Sequence, residues 1–178
     1  MTTTDKYGSV GELLLVQRVK RSGDRAAFGR LVERYQSPLR RYLLHLTAGD
    51  RFRADDLAQE TFIKAFTSIR QFSGLGSFRA WLFRIAYRTF LDSCRSLRPA
   101  QELDKVTAGC EMSVENTILQ NALACLDDTE RNVILLSAVE RLSHSQIAQV
   151  ADMPIGTVKS VVARAKAKLR KYLKNEEL

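Results

Sequence analysis

From Met153 to Lys174 the chain reads "MPIGTVKSVVARAKAKLRKYLK", with seven basic residues and no acid. Ammonium and guanidinium groups at this density do electrostatic chemistry, the neutralisation of a polyanion such as a phosphate backbone. A second group, Trp81, Arg84 and Arg88, is spaced by three and four within "QFSGLGSFRAWLFRIAYRTFLDSCRS", with Arg95 seven further on. Aromatics beside arginines suit unpaired nucleic acid, where bases stack and phosphates need cations. Covalent chemistry finds no foothold. Cys94, Cys110 and Cys125 are widely separated thiols without CxxC pairing, and His45 and His144 lie far apart, so no metal site is read. Without a Gly-rich phosphate loop or a nucleophile beside a base, neither a cofactor nor catalysis is expected.

The whole chain leans the same way. Its 178 residues hold 28 Lys and Arg against 20 Asp and Glu, a net charge of +8 with a pI near 9.7. That balance favours an anionic partner without separating nucleic acid from an anionic membrane. No apolar run approaches the roughly 20 residues of a membrane span, and "MTTTDKYGSV" lacks a signal-peptide core. The expectation is a cytoplasmic protein with no membrane insertion, whose thiols stay reduced.

The elements that carry these groups are helical, because apolar residues recur at three and four rather than two. A first helix runs through "VGELLLVQRVKR" and stops at Ser22 and Gly23; Asp24 caps the next, with its stripe of Phe28, Leu31, Val32 and Tyr35. Ser37 and Pro38 offer a second start or a kink before Leu39, Tyr42, Leu43 and Leu46. "ADDLAQETFIKAFTSIRQF" places Leu57, Phe62, Phe66 and Ile69 inward and leaves Asp55, Asp56, Gln59, Glu60 and Lys64 outside. After the breaker "SGLGS", a last helix of the first half has Leu82, Ile85 and Thr89 for a core stripe. Trp81, Phe83, Tyr87 and Phe90 then amount to more aromatic surface than one buried face requires.

Periodicity fails from Leu97 to Met112, which reads as a flexible linker. Four further helices are predicted: Ser113 to about Cys125, Thr129 to Arg141, His144 to about Val150, and Ile155 to about Leu173. Asp127 with Glu130, and Ser143 with Gln146, have capping-box spacing. The last two helices, joined at "ADMP", have the order of a helix-turn-helix. Pro154 at the first helical position gives up an amide no helix partner uses. Gly156 is a poor choice for helix stability, at about 1 kcal/mol against Ala, but a bare first turn lets backbone approach a phosphate or base edge. Val158, Val162, Ala165, Leu169 and Leu173 form the core side, leaving Lys159, Arg164, Lys166, Lys168, Arg170, Lys171 and Lys174 for solvent or phosphate.

Taken together, "DRAAFGRLVERYQSPLRRYL", "ADDLAQETFIKAF", "FRAWLFRIAYRTFLD", "LSHSQIAQVADMPIGTVKS" and "RAKAKLRKYL" resemble the extracytoplasmic-function sigma factors of bacterial RNA polymerase, in order and over nearly all of the chain. The resemblance implies an all-α protein of two small domains. These are a sigma-two helical bundle over residues 9–96 and a sigma-four helix-turn-helix domain over 113–175, joined by the linker 97–112. It also implies partners: core RNA polymerase, promoter DNA as duplex and as melted single strand, and an anti-sigma factor, with no homo-oligomer needed.

Carried over by motif, Asp55, Asp56, Gln59, Glu60, Phe62, Ile63 and Lys64 are the polymerase-docking candidates. Phe72, Ser73, Trp81, Arg84, Tyr87 and Arg88 are the candidates for capturing a flipped base of the minus-ten element, an extrusion that costs a few kcal/mol of unstacking. Pro154, Gly156, Thr157, Lys159 and Ser160 are the candidate minus-thirty-five readers, with Arg164, Lys166 and Lys168 holding phosphates. Three departures from the family pattern stand out. Val161 replaces a frequent Arg, Arg88 replaces a frequent Asn, and "LDD" replaces a frequent "LP" turn. A self-sufficient repressor or activator is the alternative, but no dimerisation helix is evident and the aromatic helix is left unexplained.

Overall fold

Short polar side chains set the helix starts. Asp24 accepts from the Ala27 amide at the head of α2 (Arg25–Leu46), and Asp50 from the Arg53 amide at the head of α3 (Arg51–Ser68). Each satisfies an amide that a first turn leaves without a helical partner. α1 (Val10–Ser22) stops at Gly23, whose φ of +65° a Cβ would strain. The computed structural model describes residues 10–74, 77–97 and 114–176. Its remaining elements are a 3-10 turn at Ile69–Gln71, α4 (Phe78–Leu97), α5 (Val114–Ala124), α6 (Asp128–Ile134) running on as a π turn at Leu135–Val139, α7 (His144–Ala151) and α8 (Ile155–Glu176). No strand occurs among the described residues. Leu97 closes α4; the rest of the span read as a linker, with Cys110, lies outside the described residues.

α2 passes through Ser37 and Pro38 as one helix, neither restarting nor ending there. An interior proline costs about 3 kcal/mol. Leu31, Tyr35, Leu39, Tyr42, Leu43 and Leu46 are buried on both sides of it, and burying even two or three such side chains outweighs that cost.

Two apolar clusters hold the molecule. One joins Val16 and Val19 of α1, Leu31 and Tyr35 of α2, Ile69, Phe72, and Phe78 and Leu82 of α4. The other joins Tyr42 and Leu43, Phe83, Tyr87 and Phe90 to Leu135, Leu136, Ile147, Val150, Val158 and Val162. The two halves therefore share a core, and α4 is buried on two faces. This corrects the aromatic surplus read on that helix: Phe83, Tyr87 and Phe90 are interior because the second half packs over them. Buried polar groups tie the same seam. Glu140, with no exposed side-chain surface, accepts from Arg41 at 2.9 Å and Arg79 at 2.5 Å. The Tyr42 hydroxyl donates to Asn132 Oδ1 at 2.6 Å.

Candidate nucleic-acid interface

The helix-turn-helix is built as its residues require. Ser143 and Gln146 complete a reciprocal capping box at the head of α7. Asp152 ends it in the left-handed conformation (φ 55°, ψ 50°), while the Met153 amide donates to the Ala148 carbonyl at 3.1 Å. Pro154 stands one residue earlier than expected, at the cap: its carbonyl accepts from the Val158 amide at 3.1 Å and α8 begins at Ile155. Its missing amide is still one that no helical carbonyl could use.

Pro154, Gly156, Thr157, Lys159 and Ser160 are all exposed around this turn. A Cβ built on Gly156 would meet nothing within 4 Å. Val158, Val162 and Ala165 are buried beneath. Val161 joins them at 4% exposure, so the position at which the family resemblance led to an expected Arg faces the core here. Leu173, read as a core position, is 47% exposed, because burial on α8 fades after Leu169.

The basic face is divided. Lys166, Arg170, Lys171 and Lys174 are exposed. Arg164 and Lys168, read as left for solvent or phosphate, instead place Nε and Nζ each 2.6 Å from the two oxygens of Glu130, which has no exposed side-chain surface. Burial raises the Glu130 carboxyl, and the hydrogen bonds from Lys168 and Arg164 more than reverse that, bringing it down to about 2. Glu130 also accepts from the Asp127 amide in the capping box that opens α6, so the "LDD" departure is absorbed locally.

The second candidate surface is a cavity of about 430 Å³ between the 3-10 turn, its following loop and α4. Phe72, Ser73, Trp81, Arg84 and Arg88 line it, together with Gln149 of α7. Lys20 Nζ donates to the Phe72 carbonyl at 2.7 Å and pins the loop to α1. Phe72 is itself buried, tilted against Trp81 at 5.5 Å and edge-on to Phe78 at 5.8 Å, so it supports the cavity rather than offering a free face. Trp81 is half-buried. Arg84 and Arg88 sit at the rim, 3.5 and 3.6 Å from the carboxylate of Asp152. Tyr87 is not brought to this cavity. It lies beside Phe90 under the second half, and burial raises its hydroxyl.

α3 presents the third surface. Asp56, Gln59, Glu60 and Ile63 face outward, Ile63 at 65% exposure. Asp55 is held by Arg40 at 2.6 and 2.8 Å, and Lys64 bridges Glu60 at 2.8 Å and the Thr89 hydroxyl at 3.3 Å. Phe62 is half-buried, edge-on to Phe28. With Ile63 and Phe66 they line a shallow apolar groove of about 320 Å³. An exposed Ile beside such a groove, on a helix that also exposes Asp56 and Glu60, is a surface with more apolar area than solubility needs.

Comparison with known proteins agrees over both halves. The Sigma-70 region 2 family matches residues 31–99, and the Sigma-70, region 4 family matches residues 116–169. The ECF RNA polymerase sigma factor SigW of Bacillus subtilis is 32% identical, the match covering 92% of this chain and 99% of SigW. The chain belongs to the ECF RNA polymerase sigma factors. The sigma-E factor of Escherichia coli K12 is 31% identical over 86% of this sigma factor and 89% of its own length. Among solved structures, CnrH in complex with the cytosolic domain of CnrY superposes with a TM-score of 0.76 at 29% identity, covering 93% of this chain and 98% of that one. The sigma factor RpoE in complex with the anti-sigma factor NepR from Bartonella quintana gives 0.72 at 28% identity, covering 83% and 96%.

Several residues that shape this sigma factor's surfaces were not singled out as site residues from sequence. Gln149 and Asp152 reach the cavity across the seam between the halves, and Glu130 reaches Arg164 and Lys168 across 34 and 38 residues. Glu130 was legible only as the third residue of a capping box. Its partners are set by how α6 lies against α8, which spacing along the chain does not encode.

Proposed function

We propose that this sigma factor directs core RNA polymerase to specific promoters and melts the minus-ten element. It is a promoter-recognition subunit with no catalysis of its own, acting in the cytoplasm as a single copy. The sigma-two domain spans residues 9–96, the linker 97–112 and the sigma-four domain 113–175.

Asp55, Asp56, Gln59, Glu60, Phe62, Ile63 and Lys64 dock on core polymerase, Ile63 entering an apolar site while the carboxylates meet basic groups. Trp81, Arg84 and Arg88, with Ser73 and the supporting Phe72, take the extruded base and its phosphates. Tyr87 joins them only if the halves part. Pro154, Gly156, Thr157, Lys159 and Ser160 read the minus-thirty-five duplex, and Lys166 holds phosphate. The likeness to CnrH and RpoE, each solved with a bound partner protein, supports regulation by an anti-sigma factor.

One observation carries the reading. A single chain holds an aromatic, arginine-rimmed cavity large enough to admit a base and an exposed helix-turn-helix end with a bare first turn. A lone duplex-binding regulator has no use for the first. The test is binding of labelled chain to bacterial core RNA polymerase, with the Glu60→Arg, Ile63→Asp double variant as control. Both positions are exposed, so the variant should keep its melting temperature and lose polymerase binding by at least tenfold. No binding by the folded, anti-sigma-free wild-type chain overturns the reading.

A further inference from the structure

We infer that Glu130 sets how strongly α8 grips DNA of any sequence: it holds Arg164 and Lys168 off the phosphate backbone and so limits sequence-independent DNA binding. The inference rests on the proposal that α8 faces DNA. Three observations carry it. First, Glu130 has no exposed side-chain surface, yet both its oxygens are 2.6 Å from cations of the basic helix. Second, those cations are themselves 57% and 44% exposed, so each would be available to a phosphate if released. Third, the two sit three and seven residues beyond Val161 on α8, past the turn formed by Pro154, Gly156, Thr157, Lys159 and Ser160. They are placed to add affinity without reading base edges, and contacts of that kind bind all sequences alike. A carboxylate that occupies them lowers the affinity for every sequence while leaving the reading end of the helix untouched. The ratio of specific to non-specific binding, set by the reading end, is unchanged; what falls is the affinity common to all sequences, and with it the sequestration of the protein by bulk DNA.

Glu130→Gln is the direct test, since glutamine keeps the size of the side chain and its capping-box acceptor. Binding of the full-length chain to a mixed-sequence duplex is measured from about 50 to about 200 mM salt, where each phosphate contact contributes about 0.9 to the log–log slope. Glu130→Gln should steepen the slope by about 1 to 2. An affinity gain at the low-salt end should shrink about tenfold across that range if both cations are released. Lys166→Met should flatten the slope by about 0.9, and Lys168→Met by less than half as much, because its ammonium is already committed.

An unchanged slope in Glu130→Gln, with Lys166→Met flattened, overturns the role of Glu130 and leaves the DNA-facing reading intact. An unchanged slope in Lys166→Met overturns both. Should Glu130→Gln fail to fold, the comparison of Lys166→Met with Lys168→Met decides: equal flattening refutes the inference, and the stated inequality supports it.

Discussion

Replacing Gly156 with alanine separates what the first turn of α8 does for DNA from what it does for folding, because the two effects have opposite signs. The position has no positive φ, and a Cβ there meets nothing within 4 Å. The free chain therefore has only the helix propensity to gain, up to about 1 kcal/mol in a helix interior and nearer 0.5 in a first turn. For a chain of this size that is a rise in melting temperature of about 1–2 °C. If α8 reads the duplex as proposed, the same methyl in the complex stands where backbone must approach a phosphate or a base edge. Losing one such contact costs about 1–3 kcal/mol, roughly 5- to 150-fold in affinity. The assay pairs chemical denaturation of the free chain with binding of the reconstituted holoenzyme to promoter duplex. Greater stability with weaker promoter binding is the expected pair. Promoter affinity that holds or rises alongside stability would show that nothing approaches this turn, and the reason given for glycine would be wrong.

Other consequences concern the seam and the cavity. Glu140→Ala removes the acceptor of Arg41 and Arg79. Charge-assisted bonds are each worth about 1.5–3 kcal/mol, but Arg41 is half in water, so a net loss of about 2 kcal/mol is expected. Fluorescence energy transfer between labels on α1 and α8 should report wider separation of the halves, and an unchanged distance distribution refutes the tie. Burial, then Arg41, holds the His45 imidazole below its ordinary value of 6.5, and Gln120 Nε2 lies 2.9 Å from Nδ1. The folded chain thus takes up a proton less readily than the unfolded one, so the stability linked to the neutral ring is complete above about pH 6.5 and falls as pH drops below it. Unfolding free energies should decline there in the wild type and stay flatter in His45→Gln; parallel profiles exclude the histidine. Trp81→Ala should leave polymerase binding intact while lowering the yield of melted promoter, scored by permanganate reactivity, at least tenfold; melting at the wild-type level removes Trp81 from base capture.

Local rules carried a long way in this chain. Asp24, Asp127 and Ser143 cap where short acceptors before an apolar run should, and Asp152 takes the left-handed turn its side chain tolerates. The three-and-four spacing places Leu39, Tyr42, Leu43, Val158, Val162 and Ala165 inside. Caps, turns and amphipathic stripes depend on residues within a turn or two of one another, and that dependence is written in order along the chain. The proline in α2 escaped the same logic, because the burial that overrides its cost comes from other helices.

Everything that needed two distant segments was decided by tertiary structure. Phe83, Tyr87 and Phe90 read as surplus until α4 was found sandwiched between the halves. Arg164 and Lys168 read as left for solvent or phosphate, and they are exposed, but both are paired with the buried Glu130. Composition established that the surface is basic, since charges add whatever the fold. Which cations remain available to phosphate depends on where each carboxylate ends up, and the energy of an ion pair depends on a separation in space that no spacing in sequence records.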